Sequence, residues 1–130
     1  MWTYTVAFLS GVPVDRAPFI MVRSRKRGGW EMPGGRLKSG EDPFEGAKRE
    51  FLEETGRKLQ CTPDKRTGWH DGYVYFGRFR DEVISEPITG EVLEVKIMSE
   101  VPDDLAFPRE EYDTLIAMGK KILKDRSKGR

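Results

Sequence analysis

The chain alternates between short apolar runs with strand-like patterning and two longer segments with helical periodicity. Residues 2–9, WTYTVAFL, are rich in β-forming residues and predict a strand. A turn follows in residues 11–18, and residues 19–23, FIMVR, predict a buried strand that could join the first in a hairpin-like unit. Residues 28–35 predict a loop in which Trp30 could open a short strand and Pro33-Gly34-Gly35 make a sharp turn. Residues 57–60 predict a further strand with Leu59 as its apolar member, and residues 62–71 a polar, turn-rich connection. GYVYFGRF at 72–79 alternates clearly, with Tyr73, Tyr75 and Gly77 facing one way and Val74, Phe76 and Arg78 the other. A charged loop with a PITG turn spans 81–90, and VLEVKIM at 92–98 predicts another strand. Residues 108–124 predict a helix burying Leu115, Ile116, Met118, Ile122 and Leu123, with residues 125–130 fraying from its end. Strands interspersed with two substantial helices predict a layered α/β domain.

The most informative stretch is the other helix, in residues 35–57, GRLKSGEDPFEGAKREFLEETGR. Asp42 is a candidate N-cap, Pro43 suits the first turn, and Glu45 completes a D-x-x-E capping box. Gly56 stands where a left-handed residue ends many helices. At about 100° per residue, Phe44, Ala47, Phe51, Leu52 and Thr55 share one face. Gly46, Arg49, Glu50, Glu53 and Glu54 share the other, where the missing side chain of Gly46 could leave room for a neighbouring loop. Like charges at this spacing cost about 0.2–0.5 kcal/mol per pair, and Arg49 alone offers local relief. The cluster therefore suggests a bound cation. Carboxylates are hard ligands suited to Mg²⁺ or Mn²⁺, and no Cys–His set favours zinc. An acidic, solvated helix face is the plainer reading of E-x-x-E-E alone.

The wider spacing changes that balance. Gly35, Glu41, Arg49, Glu50, Glu53, Glu54 and Gly56 form G-x5-E-x7-R-E-U-x-E-E-x-G-U, where U is usually aliphatic. Seven fixed residues match a given window by chance about once in ten million. The pattern resembles the box of the MutT/Nudix hydrolases, and GGWEMPGG before it is similar to the family's W-x-x-P-G-G approach. Phe51 and Arg57 depart from the usual aliphatic residues at two packing positions.

The resemblance implies a Nudix-type α/β/α sandwich with a mixed sheet between helices. It implies divalent-metal-dependent hydrolysis of a diphosphate linkage in a nucleoside di- or triphosphate derivative, with oxidised nucleoside triphosphates among the MutT-like substrates. Glu53 and Glu54 would be the main metal-binding pair, with Glu50 as ligand or general base and Glu53 also able to remove the proton. Arg49 would hold the carboxylates and Glu41 anchor the loop, while the carbonyl of Gly34 would be a further metal ligand. Many family members add an acid from the region of Glu91 and Glu94, and Glu94 is taken as the extra ligand with Glu91 as the alternative. Mg²⁺ is the expected cofactor, with Mn²⁺ able to replace it. A nucleotide-binding regulator with little catalysis, and a hydrolase of RNA ends or dinucleoside polyphosphates, are the alternative functions.

The remaining candidates concern substrate. The basic run RSRKR at 23–27 offers a phosphate clamp, with Arg23 preferred because it leaves a strand just before the glycine-rich segment. Gly35 permits close backbone approach. Trp30 and Tyr75 are candidate base-stacking residues, each with core packing as the alternative. His70, the only histidine, reads as an exposed loop residue without a partner for a histidine-centred mechanism.

Composition narrows the partners. The 130 residues are read as one domain, 1–130. A net charge of +1 argues against a field for duplex nucleic acid or membrane. One cysteine, Cys61, excludes an internal disulfide and suggests a reducing compartment. No leader or membrane-length apolar run is visible, so a cytoplasmic location is expected. The expected partner is a small nucleotide or nucleoside diphosphate derivative; a homodimer stays open.

Overall fold

A computed structural model describes residues 1–87 and 90–128, with side chains described to residue 124. The strands are β1 Trp2–Leu9, β2 Phe19–Ser24, β3 Trp30–Glu31, β4 Gly34–Arg36, β5 Leu59–Gln60, β6 Arg66–Trp69, β7 Gly72–Phe79 and β8 Val92–Met98. Helix α1, Pro43–Thr55, lies between β4 and β5, and α2, Arg109–Lys128, follows β8. The strands make one mixed sheet with the central order β3-β2-β1-β7-β5. Among the named strands of the described residues, only β1 and β7 pair in parallel, over the whole of both strands; β4 joins β1, β6 joins β7 and β8 joins β2, all antiparallel.

Side-chain alternation divides the core between the two faces. Val6, Phe8, Met21, Val74 and Phe76 pack with Tyr112, Leu115 and Ile116 of α2. Ala7, Ile20 and Phe79 pack with Phe51 of α1. The sheet is thus sandwiched between helices. The two departures from the motif have clear uses. Phe51 is fully buried and its ring lies 6.2 Å from that of Phe79. Arg57 donates to Asp81 at 2.8 Å and to the Thr55 carbonyl at 2.7 Å, tying the end of α1 to the loop after β7.

Helix α1 is bounded as its sequence dictates. Asp42 accepts the Glu45 N–H at 3.1 Å, an N-cap worth about 1 kcal/mol. Gly56 adopts φ 72° and donates to the Leu52 carbonyl at 2.8 Å, and a Cβ there would run into the Ser85 carbonyl. Gly46 is buried, with Leu37 occupying the space its side chain would take. Leu52 is only partly buried, because the helix rolls to bury Gly46 and Ala47 with Phe51 and Thr55.

Several local expectations are corrected. The Pro33–Gly35 bend opens β4, whose Gly34 and Gly35 pair with Tyr4 and Thr3 of β1. Neither glycine has positive φ; a Cβ on Gly34 would clash with the Thr3 carbonyl. The 62–71 connection contains β6, because Arg66 to Trp69 pair with the edge of β7. Helix α2 begins one residue later than expected and continues to Lys128. The middle of the expected PITG turn, residues 88 and 89, and the last two residues of the chain lie outside the described residues.

Candidate active site

Three segments build the acidic cleft: the exposed flank of α1, strand β4, and the backbone leading into β8. The cleft has a volume of about 410 Å³, and Gly34, Gly35, Glu50, Glu53, Glu54 and Glu91 lie along it. Lys26, Arg27 and Arg36 add cationic groups to its wall.

Arg49 is the hub of the carboxylates. Its Nε and Nη2 donate to both Glu41 oxygens at 2.7 and 2.9 Å. Nη1 donates to Glu50 and Glu53, each at 3.2 Å. Glu41 also accepts the Lys38 N–H at 2.9 Å, joining the loop before α1 to the same network. The Arg49 bond, with that backbone bond behind it, holds the Glu41 carboxyl down at about 2.

Glu54 lies on the opposite side of this balance. Burial pushes its carboxyl up to about 8, only partly opposed by the Gly34 N–H, and the charges of Glu50, Glu31 and Glu91 push the same way. Burial also raises the Glu50 carboxyl, against the pull of Arg49. A Cβ on Gly35 would lie 2.7 Å from the Glu50 carboxylate, so the β4 backbone approaches that acid as closely as glycine permits.

This donor set fits a divalent cation. Its oxygens are hard ligands, and two are crowded, incompletely neutralised carboxylates beside main chain. The acids are not pre-assembled into a cage: among the described residues, no group of three His, Cys, Asp or Glu side chains stands ready to hold an ion. Arg49 holds Glu50 and Glu53, while Gly34 holds Glu54, so ion binding requires these side chains to turn.

A second cavity of about 320 Å³ adjoins the cleft. Trp2, Tyr4, Trp69 and Phe107 give it aromatic walls, and Asp71 and Glu111 lie at its polar edge. Trp2 and Tyr4 stack nearly parallel, 6° apart, with centroids separated by 6.1 Å. His70 lies at the same edge, largely exposed, with Nε2 3.3 Å from Glu111. Sequence reasoning missed this cavity because its walls come from β1, the β6–β7 turn and the start of α2. The aromatic content of WTYT and the WHDG turn was the available signal.

The structure gathers Arg49, Glu41, Glu50, Glu53, Glu54, Gly34 and Gly35, but it places four other candidates elsewhere. Glu94 pairs with Arg23 across β8 and β2 at 2.6 Å, and neither lines the cleft. The register shift at Arg23/Ser24 brings Glu91, rather than Glu94, to the acids. Trp30 is buried in the α2-side core, its carbonyl accepting the Tyr112 hydroxyl at 2.5 Å. Tyr75 is fully buried; its ring packs 5.7 Å from that of Phe44 and its hydroxyl accepts from Arg66 at 3.0 Å. Neither aromatic lines either cavity.

A mixed sheet between helices, with an acid-bearing helix set against a Gly-Gly strand, defines an α/β domain with a helix-borne acidic site. The chain belongs to the NUDIX domain family, which it matches over residues 8–116. Hydrolases of this family generally use divalent metals. An RNA pyrophosphohydrolase of Rhodospirillum rubrum is 30% identical over 100 residues, covering 68% of this chain and 61% of that protein. The chain thus spans less than two thirds of that relative's length. The fold is similar to that of a Bacillus subtilis pyrophosphohydrolase, at 19% identity and TM-score 0.63, covering 96% of this chain and 81% of the other. It is also similar to an ADP-ribose pyrophosphatase from Streptococcus suis, at 14% identity and TM-score 0.63, covering 92% and 88% of the two chains. Among the described residues, no helix is long and apolar enough to cross a membrane.

Proposed function

We propose that this chain hydrolyses a phosphoric anhydride bond in a nucleoside di- or triphosphate derivative, with Mg²⁺ or Mn²⁺ as cofactor. The observation that carries this reading is the crowding of Glu50 and Glu54 against the Gly34-Gly35 backbone, in a cleft that adjoins an aromatic cavity. Glu50, Glu53 and Glu54 would hold the ion, with Glu91 in place of Glu94 as the added acid. The bound ion would supply charge neutralisation for the phosphates and an acidified water. Glu50, whose carboxyl burial raises and which is not held by the Gly34 N–H as Glu54 is, is the preferred proton acceptor from water when Glu53 and Glu54 hold the ion. Arg49 positions Glu50 and Glu53, and Glu41 positions Arg49. Lys26 and Arg36 oppose the negative charge of the phosphates, and the aromatic cavity receives the base.

The test is product analysis with nucleoside triphosphates, dinucleoside polyphosphates and nucleotide sugars, with and without Mg²⁺ or Mn²⁺. Cation-dependent release of a nucleoside monophosphate or of pyrophosphate is expected, and Glu50→Gln and Glu53→Gln should each abolish most turnover. Full turnover by both variants would remove the assigned constellation. The alternative of a nucleotide-binding regulator predicts binding without products. The R. rubrum relative favours a second substrate, the 5′ end of RNA, which enters the same panel as triphosphorylated RNA beside free nucleotide.

A further inference from the structure

The basic run at 23–27 is dispersed by the fold. Arg23 is tied to Glu94, and Arg25 donates to the Gly90 carbonyl at 3.3 Å. Arg27 alone in that run lines both cavities, and Trp2 is the other residue common to the two. A molecule occupying both spaces would lie along this guanidinium and that indole.

Arg27 is pinned there. Its Nε donates to Glu31 at 3.2 and 3.3 Å and its Nη2 at 3.2 Å, which leaves Nη1 outside the pair. The Glu31 side chain is only 5% exposed, so it is held as an internal counter-charge. The guanidinium also lies 5.8 Å from the centroid of Trp2 and 5.5 Å from that of Phe107. Two rings and a buried carboxylate thus fix one cation at the junction of an aromatic cavity and an acid-lined cleft. A fixed guanidinium recognises phosphate oxygens with less loss of freedom than a mobile lysine.

We propose that Arg27 is the substrate-positioning residue of this site, its guanidinium taking an oxygen of the sugar-linked phosphate where a nucleotide passes from the aromatic cavity into the acidic cleft. The proposal rests on the reading that the base enters the aromatic cavity and the outer phosphates reach the acids. Arg27 then sets which anhydride is presented to Glu50 and Glu53, and Glu31 sets Arg27.

The test separates phosphate recognition from folding and from catalysis. Calorimetric titration in EDTA compares a nucleoside 5′-monophosphate with the parent nucleoside, so no turnover enters the measurement. The wild-type protein should prefer the phosphorylated ligand. Arg27→Ala should reduce that preference about tenfold or more, the usual effect of losing a charge-assisted hydrogen bond. Arg27→Gln keeps an N–H partner for Glu31 and decides the matter if Arg27→Ala does not fold. Arg27→Lys should recover part of the preference. In turnover assays both neutral variants should raise KM far more than they lower kcat. A purely structural Arg27–Glu31 strut predicts a lower melting temperature with the monophosphate preference unchanged, and that result would overturn the proposal. If the preference falls as expected while no substrate is hydrolysed, the catalytic reading fails and the recognition role of Arg27 stands.

Discussion

Gly34 donates its backbone N–H to Glu54 Oε1 at 2.9 Å, joining β4 to the last turn of α1 across 20 residues of sequence. One neutral donor is weak compensation for a buried carboxylate near Glu50, Glu31 and Glu91. The protein therefore holds this acid in a form that favours a proton or a cation.

The first prediction is a pH slope. The folded Glu54 carboxyl stands at about 8 against an ordinary 4.5. A raised folded value means that the folded state binds the proton more tightly. Its contribution to stability is full below pH 4.5 and is lost as pH rises towards 8. The cation-free protein should therefore lose melting temperature across that window, and Glu54→Gln should lose less. At pH 8, Mn²⁺ or Mg²⁺ should raise the wild-type melting temperature, and that rise should shrink as the pH falls and protons compete. Thermal melts at several pH values decide it: parallel slopes for both proteins, without a cation effect, would rule out this role for Glu54.

Glu41 should behave in the opposite sense. Its folded carboxyl lies at about 2, below the ordinary 4.5, because Arg49 and the Lys38 N–H stabilise its charge. That contribution is present above pH 4.5 and disappears as pH falls towards 2. Glu41→Gln should cost on the order of 1–2 kcal/mol at neutral pH. The difference from wild type should shrink steeply towards the acid end, as followed by urea unfolding at pH 6 and pH 2.5. Activity should fall as well, since Arg49 loses the carboxylate that aims it at Glu50 and Glu53.

What the sequence disclosed about these acids was local information. The Asp42 cap, the Gly56 stop and the spacing of Glu50, Glu53 and Glu54 all lie within one helix, where a fixed rotation per residue converts order into direction. The strands β1, β2, β7 and β8 were legible for a similar reason, since β-forming runs, a short apolar run and, in β7, period-two alternation are written in consecutive residues. Strands β4 and β6 were not, because their residues are extended only through pairing with β1 and β7. Glu91 and Glu94 exchanged places through the irregularity at Arg23/Ser24, which no local pattern announces. Trp30 illustrates the remaining limit: its fate depended on Asp104, Ala106 and Tyr112, more than 70 residues away, whose backbone and hydroxyl contacts hold it in the core.

Two glycines offer a sharper contrast. At Gly35 an added Cβ meets the Glu50 carboxylate at 2.7 Å, the far end of a side chain that can turn away. Gly35→Ala should therefore keep most of its stability and lose turnover, because Glu50 is displaced from β4. At Gly46 the added Cβ strikes Leu37 and approaches Glu41 at 3.1 Å. Gly46→Ala should push the Leu37 side chain out of the space it fills against α1 and crowd Glu41, lowering stability by about 1–3 kcal/mol despite the better helix propensity of alanine. Melting curves and kcat measured on the two variants should fall in opposite order; equal losses in both would refute the distinction.

The aromatic cavity should likewise separate support from contact. Tyr112 donates its hydroxyl to the Trp30 carbonyl and accepts the Phe107 N–H at 3.3 Å. Burial pushes that hydroxyl up to about 12, so it remains a neutral donor throughout the working range. Tyr112→Phe removes both bonds and should cost about 1–2 kcal/mol of stability, with a several-fold rise in KM as the Phe107 wall loosens. Phe107 itself is 37% exposed, so Phe107→Ala should change stability little. It should nevertheless weaken nucleotide binding by about 1–3 kcal/mol, the usual loss when a base gives up an aromatic face. Melting temperature and KM measured together on the two variants test this: Tyr112→Phe should move both, Phe107→Ala mainly KM. A Phe107→Ala protein with wild-type KM for every nucleotide hydrolysed would show that the base binds elsewhere.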